Sequence, residues 1–295
     1  MIVGIDIGGT NFRIGALDKK DEIHNFKKIY VKDVLTNDDV LFDIKTIIKN
    51  NFNNIKIDAI SIGVPGTLDV NRQTIVQVPN VIGMDNLNIV DYLSKEFNVP
   101  VYIEKDVNML INYDLYKYNI DTKGVVVAFY FGTGIGNAIM IDGKIYIGKD
   151  GAAGEVGHIP VDGNKEICGC GNIGCAESVA GGKYLSKLCN EVFTGTDIVN
   201  IFSYHNDSHE IKQFVDRMSQ TLATEINILN PNRIIIGGGV INMKDFPIEL
   251  FMDKLREHTR KPYPLNSLDI TFAKDDDKAG VIGACLYAKK QIKSN

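Results

Sequence analysis

IDIGGTN at residues 5–11 and YFGTGIGN at residues 130–137 carry one local pattern written twice. Each is the end of an apolar run, then Gly and Thr in a short reversal, then Asn and a return to apolar residues. An apolar run closed by glycines reads as a buried strand, and the glycines as a tight turn into the next strand. Two such units in one chain predict an internally duplicated fold.

Outward from the first unit, IVGIDI at 2–7 and FRIGAL at 12–17 read as paired strands, with a third strand at 23–31. Val40, Leu41, Ile44, Ile47 and Ile48 recur at helical spacing within 38–52, behind the candidate caps Asn37 and Asp38. A buried strand at 57–64 ends in Pro65–Gly66, which forces a turn. Helical spacing returns at Leu87, Val90, Leu93 and Phe97; a strand at 99–103 follows, and Glu104–Lys105–Asp106 opens a helix through Tyr118. Beyond the second unit, the spacing predicts a helix over Ile211 to Leu229, a strand at 233–240, a helix near 246–258, a strand at 268–273 and a last helix from about 278.

Strands alternating with helices predict an α/β fold with a parallel sheet, whose ligands sit beyond the C-terminal strand ends. Gly8–Gly9–Thr10, Pro65–Gly66 and Asp106 all fall at such ends. The lobe boundary is expected near 115–120, giving a small lobe at 1–117 and a larger one at 118–277, with the helix at 278–295 packing back on the first.

At 295 residues the chain is long enough for two lobes and a full core. It is 44% hydrophobic and 23% charged, an ordinary soluble composition. A net charge of −5 with scattered Lys and Arg offers no basic face, which excludes a nucleic-acid binder. No apolar run reaches the roughly 20 residues of a membrane span. MIVGIDIGG starts a strand at once, without the features of a leader peptide, and five cysteines make no disulfide framework, so a cytoplasmic protein is expected.

Three of those cysteines, Cys168, Cys170 and Cys175, share one short window, with His158 upstream. These are four ligands of the kind tetrahedral zinc takes, and a closed shell of four leaves no position for an activating water. A structural zinc is therefore expected, locking an irregular loop. Glu155 and Glu177 bracket the cluster and are left over to bind a ligand. His24, His205, His209 and His258 stand apart and read as surface residues.

The turns Gly8–Gly9–Thr10–Asn11, Gly132–Thr133–Gly134 and Gly237–Gly238–Gly239 each close an apolar strand. Glycines there let backbone N–H groups approach phosphate oxygens or a flat base, although a single such turn is equally hairpin chemistry. Asp6 stands at a strand end, suited to a magnesium ion or to capping the turn. Asp106 suits either a helix cap or the general base for a substrate hydroxyl in phosphoryl transfer. Glu104 and Asn108 read as structural.

Taken in order, DIGGTN, GVPG, DVN, GTGIG, GEVGH, CGCGNIGCAE and IIIGGGV resemble the ROK family of sugar kinases and repressors over nearly the whole chain. The resemblance implies an actin-like, ribonuclease H-like fold in two lobes with a cleft between them, ATP with magnesium, structural zinc, and phosphorylation of a sugar hydroxyl, usually on C6. It places the catalytic base at Asp106 and the sugar contacts at Glu155, His158 and Glu177, with His158 reaching zinc through its other ring nitrogen. It also puts Gly66 and Asn80 in the sugar site. Where the family usually has an Asn before that Asp, this chain has Lys105, a longer side chain with no acceptor. The D-allose kinase branch is similar at this position and through GGGVINMKDFP at 237–247. D-Allose is thus the foremost expected substrate, ahead of glucose, mannose, fructose or N-acetylmannosamine. A homodimer is expected. A sugar-sensing repressor would need a DNA-binding segment ahead of Met1, and a binding protein without catalysis would consume no ATP.

Overall fold

The computed structural model describes residues 1–37, 39–79 and 81–294. Asp38, a candidate cap, and Asn80, a candidate sugar contact, lie outside the described residues. In chain order the strands are β1 (Ile2–Ile7), β2 (Asn11–Leu17), β3 (Ile23–Tyr30), β4 (Ala59–Val64), β5 (Thr67–Leu68), β6 (Ile75–Gln77), β7 (Val101–Lys105), β8 (Val125–Phe131), β9 (Ile135–Ile141), β10 (Lys144–Ile145), β11 (Arg233–Gly237) and β12 (Ile270–Phe272). The helices are α1 (Val31–Val34), α2 (Val40–Phe52), α3 (Ile89–Phe97), α4 (Asp106–Lys117), α5 (Glu177–Ala180), α6 (Gly182–Glu191), α7 (Ile201–His205), α8 (His209–Leu229), α9 (Ile248–His258) and α10 (Ala279–Ser294).

The chain forms two compact units. The first comprises residues 1–121, 147–153 and the segment from Asp276 onward. Its sheet has the order β3-β2-β1-β4-β7, with β1 antiparallel to β2 and parallel to β4, and β4 parallel to β7. β1 and β4 are buried along almost their whole length, as strands covered on both faces must be. Ile44 and Ile48 of α2 and Leu93 of α3 belong to its core, and α10 packs along α4 and β1.

The second unit comprises residues 122–146 and 154–275. Its sheet, β10-β9-β8-β11-β12, repeats the first strand for strand: β8 is antiparallel to β9 and parallel to β11, and β11 is parallel to β12. The duplication announced by the two glycine turns is thus a duplication of whole sheets. Its core is aromatic at the centre, where Phe131 meets Phe251 edge-on at 6.2 Å and Phe202 meets Phe246 at 5.2 Å. None of the described helices is long and apolar enough to cross a membrane.

Several element boundaries differ from the sequence reading. Glu104 and Lys105 do not open a helix; they end β7, because Lys105 pairs with Val64 of β4, and the helix begins at Asp106. The cap of α2 is Asp39, which accepts from the Phe42 amide, whereas Asn37 bonds to Asp43. β11 stops at Gly237 instead of continuing to Val240. Of the four histidines read as surface residues, His209 is exposed and the other three are half-buried. His24 bonds Asp18 at 3.0 Å and His258 bonds Asp216 at 2.7 Å; His205 bonds Thr196 at 2.9 Å and stacks on Phe193 at 4.1 Å.

Candidate active site

In the first unit the register of three parallel strands sets a row of candidate residues at one sheet end. Asp6 pairs with Gly63, and Val64 pairs with Lys105, so the ends of β1, β4 and β7 carry Asp6, the Pro65–Gly66 turn and Asp106 side by side. Asp106 is the first residue of α4, and its Oδ1 accepts the Val107 amide at 2.8 Å. The partial positive charge of a helix start favours a carboxylate at this position. Lys105 is buried, and its ammonium donates to the Ala153 carbonyl at 3.3 Å. Burial raises the pKa of Asp6, while the Arg13 guanidinium, 3.0 Å away, pulls it back. The Gly8–Asn11 turn is closed by the Gly8 amide on the Asn11 carbonyl at 2.8 Å, and Gly9 and Thr10 are exposed at its tip. Gly66 sits against the hairpin of β5 and β6, where a Cβ would come within 2.2 Å of the Gln77 carbonyl.

In the second unit, the turn Gly132–Thr133–Gly134 is tied to the start of α6: the Gly182 amide donates to Gly132 at 2.8 Å and the Lys183 amide to Thr133 at 2.9 Å. A Cβ on Gly181 would meet the carbonyls of Glu177 and Thr133, each at 2.8 Å. The first amides of α6 are thus spent on the carbonyls of the turn, so the helix start braces the turn. Gly237 to Gly239 leave the neighbouring strand, β11, whose Gly237 pairs with Tyr130 of β8. Asn242 holds that exit by donating to the Gly238 and Ala273 carbonyls at 3.2 and 3.0 Å.

The structure gathers His158, Cys168, Cys170 and Cys175, with one ligand atom of each within 4.8 Å of the others. Tetrahedral zinc with Zn–S near 2.3 Å and Zn–N near 2.0 Å requires ligand-to-ligand edges of about 3.5–3.8 Å. The Cys170 and Cys175 sulfurs are 3.6 Å apart, and Cys168 Sγ is 3.5 Å from His158 Nδ1, so the donor set fits the ion. The other ring nitrogen, Nε2, faces Glu155 Oε2 at 3.5 Å. Burial pushes the Cys168 and Cys175 thiols up, whereas the Asn172 amide holds the exposed Cys170 down. A bound cation would reverse the first two shifts by taking thiolates.

The two carboxylates stand differently. Glu155 is the more open, with 44% of its side chain exposed against 25% for Glu177. Glu177 Oε1 accepts from Cys168 Sγ at 3.1 Å, and a Cβ on Gly134 would lie 2.3 Å from its Oε2. One side chain thus touches both the cysteine cluster and the glycine turn.

Sequence patterning alone does not single out Gly181–Gly182, although a double glycine after a ligand cluster is a usable signal of close backbone approach. Nor does it single out Arg72, whose Nε donates to Glu104 at 3.0 Å, or Glu225, a buried carboxylate on α8.

Two sheets of identical order, each with glycine turns at strand ends, define an actin-like ATPase fold. The chain belongs to the ROK family, whose model matches residues 2–291. It is similar to a glucokinase of Thermotoga maritima, 25% identical over 99% of this chain and 98% of that one. It is also similar to an N-acetyl-D-glucosamine kinase of Haemophilus influenzae, 27% identical over 96% of this chain and 98% of the relative. A solved ROK family glucokinase from Streptomyces griseus, in complex with glucose and AMPPNP, shares the fold with a TM-score of 0.78 at 23% identity, covering 98% and 99% of the two chains.

Proposed function

We propose that the protein transfers the γ-phosphoryl group of ATP to the 6-hydroxyl of a hexose, with D-allose the foremost substrate. The protein is a sugar kinase of the ROK family. The observation that carries the reading of its chemistry is Asp106, a carboxylate at the C-terminal end of a parallel strand and the start of a helix. Asp106 takes the proton of the 6-hydroxyl as that oxygen bonds to the γ-phosphorus, and the bond to ADP breaks. Gly8–Asn11 and Gly132–Gly134 would hold the phosphates, Gly237–Gly239 the adenosine and Asp6 the magnesium ion, which neutralises phosphate charge. Zinc on Cys168, Cys170, Cys175 and His158 Nδ1 would hold Glu155, His158 Nε2 and Glu177 against the ring hydroxyls. Gly66 and Asn80 would line the sugar site. Five free thiols suit a reducing cytoplasm, and a homodimer is the proposed assembly.

D-Allose is favoured by Lys105, which replaces an Asn acceptor by a buried ammonium and so alters what one ring hydroxyl can meet. The relatives favour a second reading, glucose or an N-acetylated hexosamine. Coupled ADP release over allose, glucose, mannose, fructose, N-acetylglucosamine and N-acetylmannosamine decides between them. Allose should give the highest kcat/KM, and a clear preference for glucose would overturn the inference from Lys105. Asp106→Asn should lower kcat by about 10² or more with little change in sugar affinity; near-normal turnover would refute the base.

A further inference from the structure

Glu104 ends β7 directly before Lys105 and Asp106 and is almost wholly buried, at 1% exposure. A carboxylate taken out of water is costly unless paired and hydrogen-bonded. Here its contacts are directed. Oε1 accepts the Lys105 amide at 2.9 Å and Asn108 Nδ2 at 3.0 Å, and Oε2 accepts Arg72 Nε at 3.0 Å. The first two bonds span the junction of β7 and α4, on either side of Asp106. The third reaches the turn between β5 and β6.

Arg72 is itself held in the left-handed region, at φ 55°, which a residue with a side chain adopts only when its surroundings impose it. Its NH1 donates to the Asp69 carbonyl at 3.0 Å and its NH2 to the Gly151 carbonyl at 3.3 Å. The guanidinium therefore ties the hairpin that begins beside Gly66 to the 147–153 strap, whose Ala153 carbonyl receives the Lys105 ammonium. Every one of these residues belongs to the first unit. A buried pair of this kind is a poor source of stability, because apolar residues of the same shape do as well, but it fixes geometry.

We propose that Glu104 is a positioning residue for phosphoryl transfer: through Arg72 and Asn108 it holds the Gly66 hairpin and the Asp106 helix start in one fixed arrangement. This rests on the proposed role of Asp106. Glu104→Gln keeps the size of the side chain and one oxygen for Asn108, but turns an amide donor toward Arg72, which has only donors. Displacing a catalytic group by even an ångström costs up to about 10²-fold.

The test is steady-state kinetics of Glu104→Gln, Arg72→Lys and the double variant, at a temperature well below each melting midpoint, beside Asp106→Asn. The expected result is a fall in kcat of about tenfold or more for each single variant, with KM for ATP unchanged and the double variant no worse than the poorer single one. A merely structural pair would lower the melting midpoint and leave kcat intact. Should Glu104→Gln not fold, Arg72→Lys alone carries the same prediction. An inactive Asp106→Asn with full kcat in the folded Glu104→Gln or Arg72→Lys variant, or losses that multiply in the double variant, would overturn the positioning role. Full turnover by Asp106→Asn would instead overturn the base assignment, and this inference with it.

Discussion

Glu225 shows how far a single residue departs from what its neighbours suggest. It lies among Leu222, Ala223 and Ile226 on the buried face of α8, is 6% exposed, and neither carboxylate oxygen has a hydrogen-bonded partner among the described residues. Burial raises its pKa from 4.5 to about 7, with the nearby Asn137 amide opposing. Below pH 4.5 the folded and unfolded chains both hold the proton, and the full stability is present. As pH rises toward 7, the unfolded chain releases the proton first, so stability falls, by about 3 kcal/mol once pH passes the folded value. Glu225→Gln should therefore raise the melting midpoint at pH 7.5 and leave it almost unchanged at pH 4.5, read by thermal melts at both values. An equal shift at both would refute the titration. The helical spacing of α8 is plain in the sequence, but it marks a face and not which polar residue is buried on it. The same holds for Glu104, whose partner Arg72 lies on another element. By contrast, His158 and the three cysteines are legible because soft ligands crowd one short stretch.

At the scale of elements, what is legible is what local periodicity controls. β1, β4, β8 and α8 stand out through apolar runs or helical repeats. α6 does not, because it buries only Leu185, Leu188 and Cys189 and begins at glycine, a poor helix former. Nor do β5 and β6, of two and three residues, which exist through pairing with each other. Lys105 likewise joins a strand through Val64, not through its own propensity. The start of α6 matters because it backs the turn at 132–134. Gly181→Ala would set a methyl against two backbone carbonyls, which cannot move as a flexible side chain can. The variant should lose about 1–3 kcal/mol of stability and show a raised KM for ATP, since the displaced turn is the proposed phosphate cradle. Thermal melts and an ATP titration measure both, and parental values in each would show that the contact yields.

For the whole molecule, the two sheets repeat one another, whereas the cysteine-bearing loop belongs to the second unit alone. Between Glu155 and Glu177 the backbone forms one 3₁₀ turn and two isolated bridges, Pro160 with Cys175 and Ile167 with Ile173, so no ladder of any length holds it. Each sheet, in contrast, is carried by its own buried cluster, and the three clustered cysteines lie outside both. A metal bound there would thus stabilise the loop far more than the sheets, because it replaces the missing ladder with bonds to four donors. The glycine turns proposed for the nucleotide lie at the ends of β1, β8 and β11, each held by its own strand, and the loop meets them at Glu177, beside Gly134. Chelation should therefore release about one zinc per chain, as a Cys3His shell requires. It should abolish sugar binding and leave nucleotide affinity and the far-ultraviolet dichroism of the sheets nearly intact. Metal analysis, with separate titrations of sugar and of a nonhydrolysable ATP analogue before and after chelation, separates these outcomes. Loss of zinc with sugar affinity retained would mean that Glu155 and Glu177 hold their positions without it, and that the loop takes its order from protein contacts such as the bond between Glu177 and Cys168.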